Sequence, residues 1–207
     1  MHLNKIQSWL KTWRMKANEA KSVQVTFTLN KMTCPPVKLN NEHLPQADEV
    51  KYLGIHLDRR LTLRKHITTK WKQLDLKLRN LYWIIGRRSQ LSIENKLLVY
   101  KVILKPVWTY GIQLWGNASN SDLEILERFQ SKVLRIITDD APWYMPNTII
   151  KRDLQIPTVK LEAQKHSANY RKRFDVHPNN LANALFQEQL GTRRLKRLYP
   201  ADIVTNG

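Results

Sequence analysis

The feature that most constrains the fold is a change in the spacing of apolar residues near Asp58. Between residues 23 and 29, apolar and polar residues alternate strictly, which predicts a strand with one buried face. After Asp58 the apolar residues recur every three or four positions, the spacing of amphipathic helices. Two periods in separate stretches predict an α+β fold, with a small antiparallel sheet first and a mainly helical part after it.

Further signals order the part of the chain before Asp58. Residues 2–16 carry apolar side chains at helical spacing, which predicts an amphipathic helix. Residues 37–39 form a second extended piece that turns at Asn40-Asn41, because asparagine tolerates the left-handed backbone of a tight hairpin. A third strand is predicted over residues 50–57. This part is therefore expected to be one helix beside a small antiparallel sheet.

Helix-boundary signals divide the part after Asp58. One helix is predicted to run through residues 67–85 and to end at Gly86. Ser92 is predicted to cap the next helix, which Pro106 should kink or break. Ser121 and Glu124 have capping-box spacing and predict the start of a third helix.

Three prolines mark a change of organisation after residue 141. They predict repeated turns over residues 142–157 and a domain boundary near residue 141. Beyond them we expect helices over residues 158–174 and 180–189, followed by a basic stretch at 193–197.

Charge points to the partner. The formal net charge is +18, and such an excess repels itself in a compact chain unless a polyanion such as nucleic acid binds. Thirteen Lys and Arg residues but only Asp75 and Glu94 fall within residues 59–105, the basic segment. A solvated face normally mixes both signs, so we expect this segment to contact phosphates. Aromatic residues interleave with the cations, although Trp71 is in register with Leu74 and Leu78 and is predicted to pack in the core.

Composition excludes several classes of protein. Cys34 is the only cysteine, so neither an intrachain disulfide nor a Cys/His zinc knuckle is expected. The six histidines are scattered, and we expect no metal site or other cofactor in this chain. No apolar stretch approaches the ~20 residues that span a bilayer. We expect synthesis in the cytosol, with the nucleus as an alternative destination.

Two motifs in order carry a family resemblance. Residues 17–22 read Ala-Asn-Glu-Ala-Lys-Ser and lie between a Trp-bearing helix and the alternating strand, and residues 52–58 read Tyr-Leu-Gly-Ile-His-Leu-Asp. The first resembles the fourth palm motif of LINE-type reverse transcriptases, and the second resembles their primer-grip motif. Runs within 104–116 and 130–135 are similar to that family's region after the palm. The similarity is to the jockey group of insect elements.

The resemblance implies a domain plan and a set of contacts. Residues 1–58 would be the end of the palm, with a primer-grip hairpin, 59–140 a helical thumb, and 141–207 a C-terminal helical region with a basic tail. The expected partners are template–primer RNA or DNA and the upstream palm and fingers. The residues expected to contact nucleic acid are Tyr52, Leu53, Gly54, Arg59, Arg60, Arg64, Lys65, Lys70, Lys72, Arg87 and Arg88. For the Tyr52–Gly54 run, the alternative is an ordinary core strand with a bulge.

The resemblance also bears on catalysis. It places the family's paired metal-binding aspartates upstream of Met1, so this chain alone is predicted to be inactive, although the intact enzyme would use a divalent metal such as Mg²⁺. It suggests Lys21 as an auxiliary group near the leaving pyrophosphate, but without those aspartates a solvated lysine is the preferred interpretation. Asp139-Asp140 follows a helix, and turn or capping duty is expected of it.

Three hypotheses follow. The first is a part of a reverse transcriptase that binds template–primer without polymerising. The second is a non-catalytic nucleic-acid-binding protein derived from such an element, and the third is a structural remnant whose charge is residual.

Overall fold

The computed structural model describes residues 2–30, 34–40, 42–139, 141–175 and 177–181. The chain divides into two compact units, Met1–Thr62 and Leu63–Gly207, hereafter the N-terminal and helical units. Small two-stranded antiparallel sheets lie in the first and helices fill the second, so the predicted α+β class is confirmed. The three-domain plan of 1–58, 59–140 and 141–207 stays a prediction.

The N-terminal unit opens with α1, His2–Thr12. This helix ends four residues before the predicted end because Arg14 adopts a left-handed backbone, with φ of 52°. The amide of Arg14 donates to Lys11 O at 3.0 Å and that of Met15 to Leu10 O at 2.9 Å. Together they form a Schellman motif, which stops a helix by satisfying its last carbonyls.

Two hairpins form the sheets of this unit. β1 (Lys38–Leu39) pairs with β2 (Glu42–His43), and Asn40 in the loop has φ of 50°, which confirms the predicted hairpin. β3 (Glu49–Tyr52) pairs with β4 (Ile55–Asp58). Leu53 and Gly54 join them with φ values of 46° and 79°, as a type I′ turn requires. The prediction of one strand over 50–57 is therefore wrong, since the chain reverses in its middle.

The alternating stretch at residues 23–29 does not form a strand. Its only strand-like pairing in the described chain is an isolated parallel bridge between Gln24 and Gln46, with one further backbone hydrogen bond from Thr28 N to Arg59 O at 3.0 Å. Phe27 and Leu29 stay exposed. Alternation predicts which face of a strand is apolar, but a strand exists only where a neighbour pairs with its backbone.

The helical unit is built on two long helices. α2 spans Arg64–Ile85 and α6 spans Asn120–Ile137, and they pack side by side. The shorter helices are α3 (Ile93–Val99), α4 (Lys105–Thr109), α5 (Ile112–Trp115), α7 (Asn147–Asp153) and α8 (Val159–Asp175). α2 ends before Gly86, and α8 covers the helix predicted for 158–174, so both predictions are confirmed.

A π-helical turn explains how the chain tolerates Pro106. Residues Tyr100–Leu104 form a π-helix between α3 and α4, and Pro106 follows in the first turn of α4. A proline in a continuous α-helix would clash with the carbonyl four residues earlier and remove one hydrogen bond. The wider π-turn just before it re-registers the backbone, and the predicted break is a change of helix type.

Two boundary predictions need correction. The cap of α6 is Ser119, whose hydroxyl accepts from Asp122 N at 3.3 Å, so the predicted Ser121 start is wrong by two residues. α7 occupies part of the stretch predicted to be only turns, because Pro146 precedes it as its cap and Asn147 begins it. Of the helix predicted for 180–189, only 180 and 181 are described, and the basic stretch at 193–197 lies outside the described residues.

The core of the helical unit contains large aromatic side chains. Trp108 and Trp115 are fully buried, with ring centroids 6.4 Å apart. The Trp115 indole donates to Tyr110 O at 3.0 Å. No helix among the described residues combines the length and apolar character needed to cross a bilayer.

Candidate nucleic-acid interface

Helix α2 presents its cations on more than one face. Ile67, Leu74, Leu78 and Ile85 point into the core. Counting at 3.6 residues per turn, Lys65 and Lys72 lie on the opposite face together with Leu76 and Trp83, and all four are exposed. The one carboxylate of α2, Asp75, lies on the side that faces α6. The solvent face of α2 is thus positive and partly apolar.

Arg64 and Lys70 lie at the flanks of α2. Arg64 Nε is 3.7 Å from the Asp122 carboxylate, while the Arg64 side chain stays 77% exposed. Lys70 is half-buried, with its Nζ 5.3 Å from the centre of the Tyr110 ring, a cation–π contact. Arg64 can therefore reach solvent anions, whereas Lys70 is committed in part to its own unit.

Two cations of the basic segment are unavailable for phosphates. Lys96 is buried, and its Nζ lies 2.9 Å from the Asp139 carboxylate. Lys105 Nζ lies 2.8 Å from that of buried Glu162. Sequence alone could not separate these from the exposed cations, because helical periodicity did not place Lys96 in the core.

Arg87 and Arg88 are exposed in the turn after α2. Gly86 makes this turn possible, since a Cβ there would lie 2.5 Å from Tyr82 O. Glycine is needed here because the backbone passes close to Tyr82 O. A left-handed conformation is not the reason, since φ of Gly86 is −74°.

Arg59 and Arg60 belong to the N-terminal unit and differ in environment. Arg59 donates to Asn30 O at 2.6 Å and lies 3.8 Å from the Asp48 carboxylate. Its role is largely to fix the loops of this unit. Arg60 is exposed.

The Tyr52-Leu53-Gly54 run forms the tip of the β3–β4 hairpin. Tyr52 and Leu53 are 62% and 71% exposed. Tyr52 is the last residue of β3, and Leu53 and Gly54 form the turn, so the run lies outside the core. Its primer-grip role stays a prediction. A protruding hairpin tip of this kind can lie against a ligand.

Lys21 ends a short 3₁₀-helix, Glu19–Lys21, and is exposed. Its amide donates to the Asn18 side chain at 3.1 Å. Asn40 donates to the neighbouring Glu19 carboxylate, and this hydrogen bond is the main cause of a lowered Glu19 pKa. The Lys21 backbone is fixed while its ammonium faces solvent.

The carboxylates of the described chain do not gather. No group of three or more potential metal-ligating side chains occurs within the described residues. Asp139 has a left-handed backbone, with φ of 54°, and pairs with Lys96, which fits the turn role expected of it. Asp140 lies outside the described residues.

The sequence interpretation missed cations on α6. Arg128 and Lys132 are exposed and border two adjoining cavities beside α2. Arg135 is mostly structural, since its guanidinium donates to the carbonyls of Ala141, Pro142 and Met145 at 3.2, 3.1 and 2.6 Å. The i, i+4, i+7 spacing of these three residues was a usable signal for one helical face.

Comparison with known proteins agrees with the class of protein that the sequence motifs indicated. The chain is homologous over nearly its whole length to a region of the reverse transcriptases of LINE-type retrotransposons.

Particular relatives come from Drosophila. The chain is 42% identical over 201 residues to the probable RNA-directed DNA polymerase from transposon X-element of Drosophila melanogaster. The aligned region covers 97% of this chain and 22% of the relative. The chain is 37% identical over 210 residues to the RNA-directed DNA polymerase from mobile element jockey of the same species, covering 98% and 23%. The chain thus spans less than a quarter of the length of these relatives. No protein-family profile and no solved structure matches it.

Proposed function

We propose that this chain supplies template–primer binding to an RNA-directed DNA polymerase of a mobile element and does not polymerise by itself. The observation that carries the proposal is the solvent face of α2, where Lys65 and Lys72 are exposed and no carboxylate shares the face. Arg87 and Arg88 extend the exposed positive charge beyond the end of the helix. The names of the relatives support nucleic acid as the polyanion.

Contacts of this type would be made to the sugar–phosphate backbone. Lysine and arginine neutralise phosphates, release condensed counterions and carry no sequence information when they do so. RNA, DNA and hybrid duplexes should therefore all bind, with little sequence preference. In this proposal the β3–β4 hairpin tip would lie against the primer, as the primer-grip resemblance implies.

The proposal assigns phosphoryl transfer to another part of the polymerase. That step needs carboxylates that hold divalent metals such as Mg²⁺ across the reacting oxygens, and the relatives named as polymerases are more than four times as long as the region that this chain matches. We predict no primer extension by the pure chain with Mg²⁺ or Mn²⁺ present. Extension above the level of a mock preparation would contradict the proposal.

A charge-matched pair of variants tests the binding surface. In the first, Lys65, Lys72, Arg87 and Arg88 are replaced together by Ala. In the second, four exposed cations elsewhere in the helical unit are replaced by Ala, namely Lys160, Lys165, Lys172 and Arg173. Both lose the same formal charge. Affinities for fluorescent RNA, DNA and hybrid hairpins are measured by anisotropy between 50 and 300 mM salt.

The first variant should bind every hairpin more weakly and flatten the salt dependence by about three units, at ~0.7–0.9 per lost contact. The control should change the slope by less than about one unit. Equal losses in both variants would show a diffuse charge effect without a defined surface. Absence of binding by the unmodified chain would favour the structural-remnant hypothesis.

A further inference from the structure

A groove runs between α2 and α6 in the helical unit. It consists of two adjoining cavities of about 470 and 540 Å³, which share Arg128 and Lys132 as walls. On α2 it extends from Arg64 to Tyr82, eighteen residues or about 27 Å at 1.5 Å per residue. At ~3.4 Å per phosphate, this length matches about eight nucleotides of a stacked strand.

Two aromatic rings line the α2 wall of the groove. Trp71 is 37% exposed and Tyr82 is 51% exposed, and they are three helical turns apart, or ~16 Å. Trp71 keeps the register of the core residues, yet part of its ring remains open to the groove. An exposed ring can stack on a base of a bound strand, and the ~16 Å separation would place the two stacked bases about five nucleotides apart at ~3.4 Å each.

The charge of the groove complements a phosphate chain. Arg64, Arg128 and Lys132 line it, against Asp75 as its one lining carboxylate. Arg79 and Lys132 donate to Asp75 at 2.6 and 3.4 Å. Burial raises the pKa of Asp75, but these two hydrogen bonds outweigh it and leave the pKa below its usual value. Asp75 therefore stays ionised and is neutralised by cations, so the groove as a whole remains positive.

We infer that the α2–α6 groove binds a single-stranded segment of nucleic acid, with phosphates along Arg128 and Lys132 and bases against Trp71 and Tyr82. The inference rests on the proposed function and adds a second surface to it, separate from the solvent face of α2. Each cavity has the volume of a small-ligand site, ~300–1,000 Å³, which suits one or two bases. A duplex hides the faces of its bases in its own stack and cannot use the rings.

Neighbouring aromatic residues on α2 provide a matched test. Tyr82 lines the groove, whereas Trp83 is 77% exposed and does not line it. The full chain is prepared as Tyr82→Ala, Tyr82→Leu, Tyr82→Phe and Trp83→Ala, with thermal melts to confirm folding. Probes are a ten-nucleotide oligo(dT), an oligo(U) of equal length and a blunt hairpin duplex.

Both Tyr82→Ala and Tyr82→Leu should weaken oligo binding at least about fivefold, as loss of a stacking ring does. Tyr82→Phe should retain it, because the ring is kept. Trp83→Ala should change oligo affinity less than twofold, and hairpin affinity should be unaffected by every Tyr82 variant. Arg128→Ala should also weaken oligo binding, unlike the exposed control Lys165→Ala on α8.

The groove inference is overturned if Trp83→Ala weakens oligo binding as much as Tyr82→Ala, or if no groove variant weakens it. It is also overturned if the Tyr82 variants affect oligo and hairpin equally. In those cases hairpin binding that still depends on Lys65, Lys72, Arg87 and Arg88 would leave the proposed function standing. If the unmodified chain binds neither oligo nor hairpin, both proposals fail. A partner protein would be indicated if only a protein ligand competed for the groove.

Discussion

The helical unit buries two of its five tryptophans, whereas both tryptophans of the N-terminal unit are exposed. In the helical unit Trp108 and Trp115 are 1% and 0% exposed, whereas Trp9 and Trp13 on or beside α1 of the N-terminal unit are 55% and 64% exposed. The helical unit closes a core with its own side chains. Among its described residues the N-terminal unit buries only Leu39 and Ile55 in full and is held by capped turns and short hairpins. Substitutions should therefore cost much in one unit and little in the other.

The sharpest contrast should come from removing one ring in each unit. Trp115→Ala deletes a buried indole together with its hydrogen bond to Tyr110 O, and the cost should be ~3–5 kcal/mol of unfolding free energy. Trp13→Ala removes a mostly exposed ring and should cost under ~0.5–1 kcal/mol. Urea unfolding followed by circular dichroism measures both. Equal effects would show that the units do not differ in packing as described.

Alkaline pH probes the same core through Tyr100. Burial raises the pKa of the Tyr100 hydroxyl to about 12, because the effect of burial is larger than the lowering by the hydrogen bonds from Gln130 and Trp108. In the unfolded chain the Tyr100 hydroxyl ionises at pH ~10. The stabilisation is thus complete below pH 10 and is lost as pH rises towards 12, by about 2–3 kcal/mol.

The Tyr100→Phe variant supplies the control for this titration. It should be less stable at neutral pH, since two donors lose their acceptor, yet its stability should fall less steeply than that of the unmodified chain between pH 10 and 12. The free energy of unfolding is measured for both proteins by urea titration at a series of pH values. If it falls equally steeply with pH in both, the Tyr100 ring is exposed to solvent and the account of the core is contradicted.

Asp139→Asn tests the buried ammonium of Lys96. The amide keeps the size and the left-handed tolerance of Asp139 and removes only its charge. Because Lys96 stays buried, we expect a loss of ~1–2 kcal/mol. Asp153→Asn, which alters an exposed pair with Arg152 at 3.5 Å, should cost under ~0.5 kcal/mol. If Asp139→Asn leaves the free energy of unfolding unchanged, the Lys96 ammonium must be hydrated rather than buried.

The smallest effect is expected in the N-terminal unit. Cys34 is half-buried and carries no disulfide, so Cys34→Ser should shift the melting temperature by at most a few degrees, equivalent to under ~0.5–1 kcal/mol. A large drop in melting temperature, measured by scanning fluorimetry, would show that Cys34 packs in a core and that the two units differ less in packing than described.

The sequence predicted long periodic helices well and paired strands poorly. The apolar spacing of α2 and the end at Gly86 are local properties, and the structure has both. The strand expected at 23–29 depends on a neighbour that sequence pattern does not supply. The predicted strand over residues 50–57 includes Gly54, yet the apolar residues of the two observed strands lie at positions 50 and 52 before it and at 55 and 57 after it. This change of phase coincides with the Leu53-Gly54 turn that reverses the chain.

The candidate interface was predictable in part. Composition indicated a basic helical region, and Lys65, Lys72, Arg87 and Arg88 are exposed in it. Lys96 and Lys105 pair with carboxylates that lie 43 and 57 residues away along the chain. The α6 wall of the groove follows from the packing of two distant helices. Neither feature is visible in a local window.

The most direct test of the central claim is the salt dependence of nucleic-acid binding by the unmodified full chain. If five to seven cations contact phosphates at once, log affinity for an RNA–DNA hybrid hairpin should fall with log salt at a slope of about −4 to −6. RNA and DNA hairpins of unrelated sequence should give similar slopes. A slope near zero, or binding confined to one sequence, would contradict an interface built from cations on the helical unit.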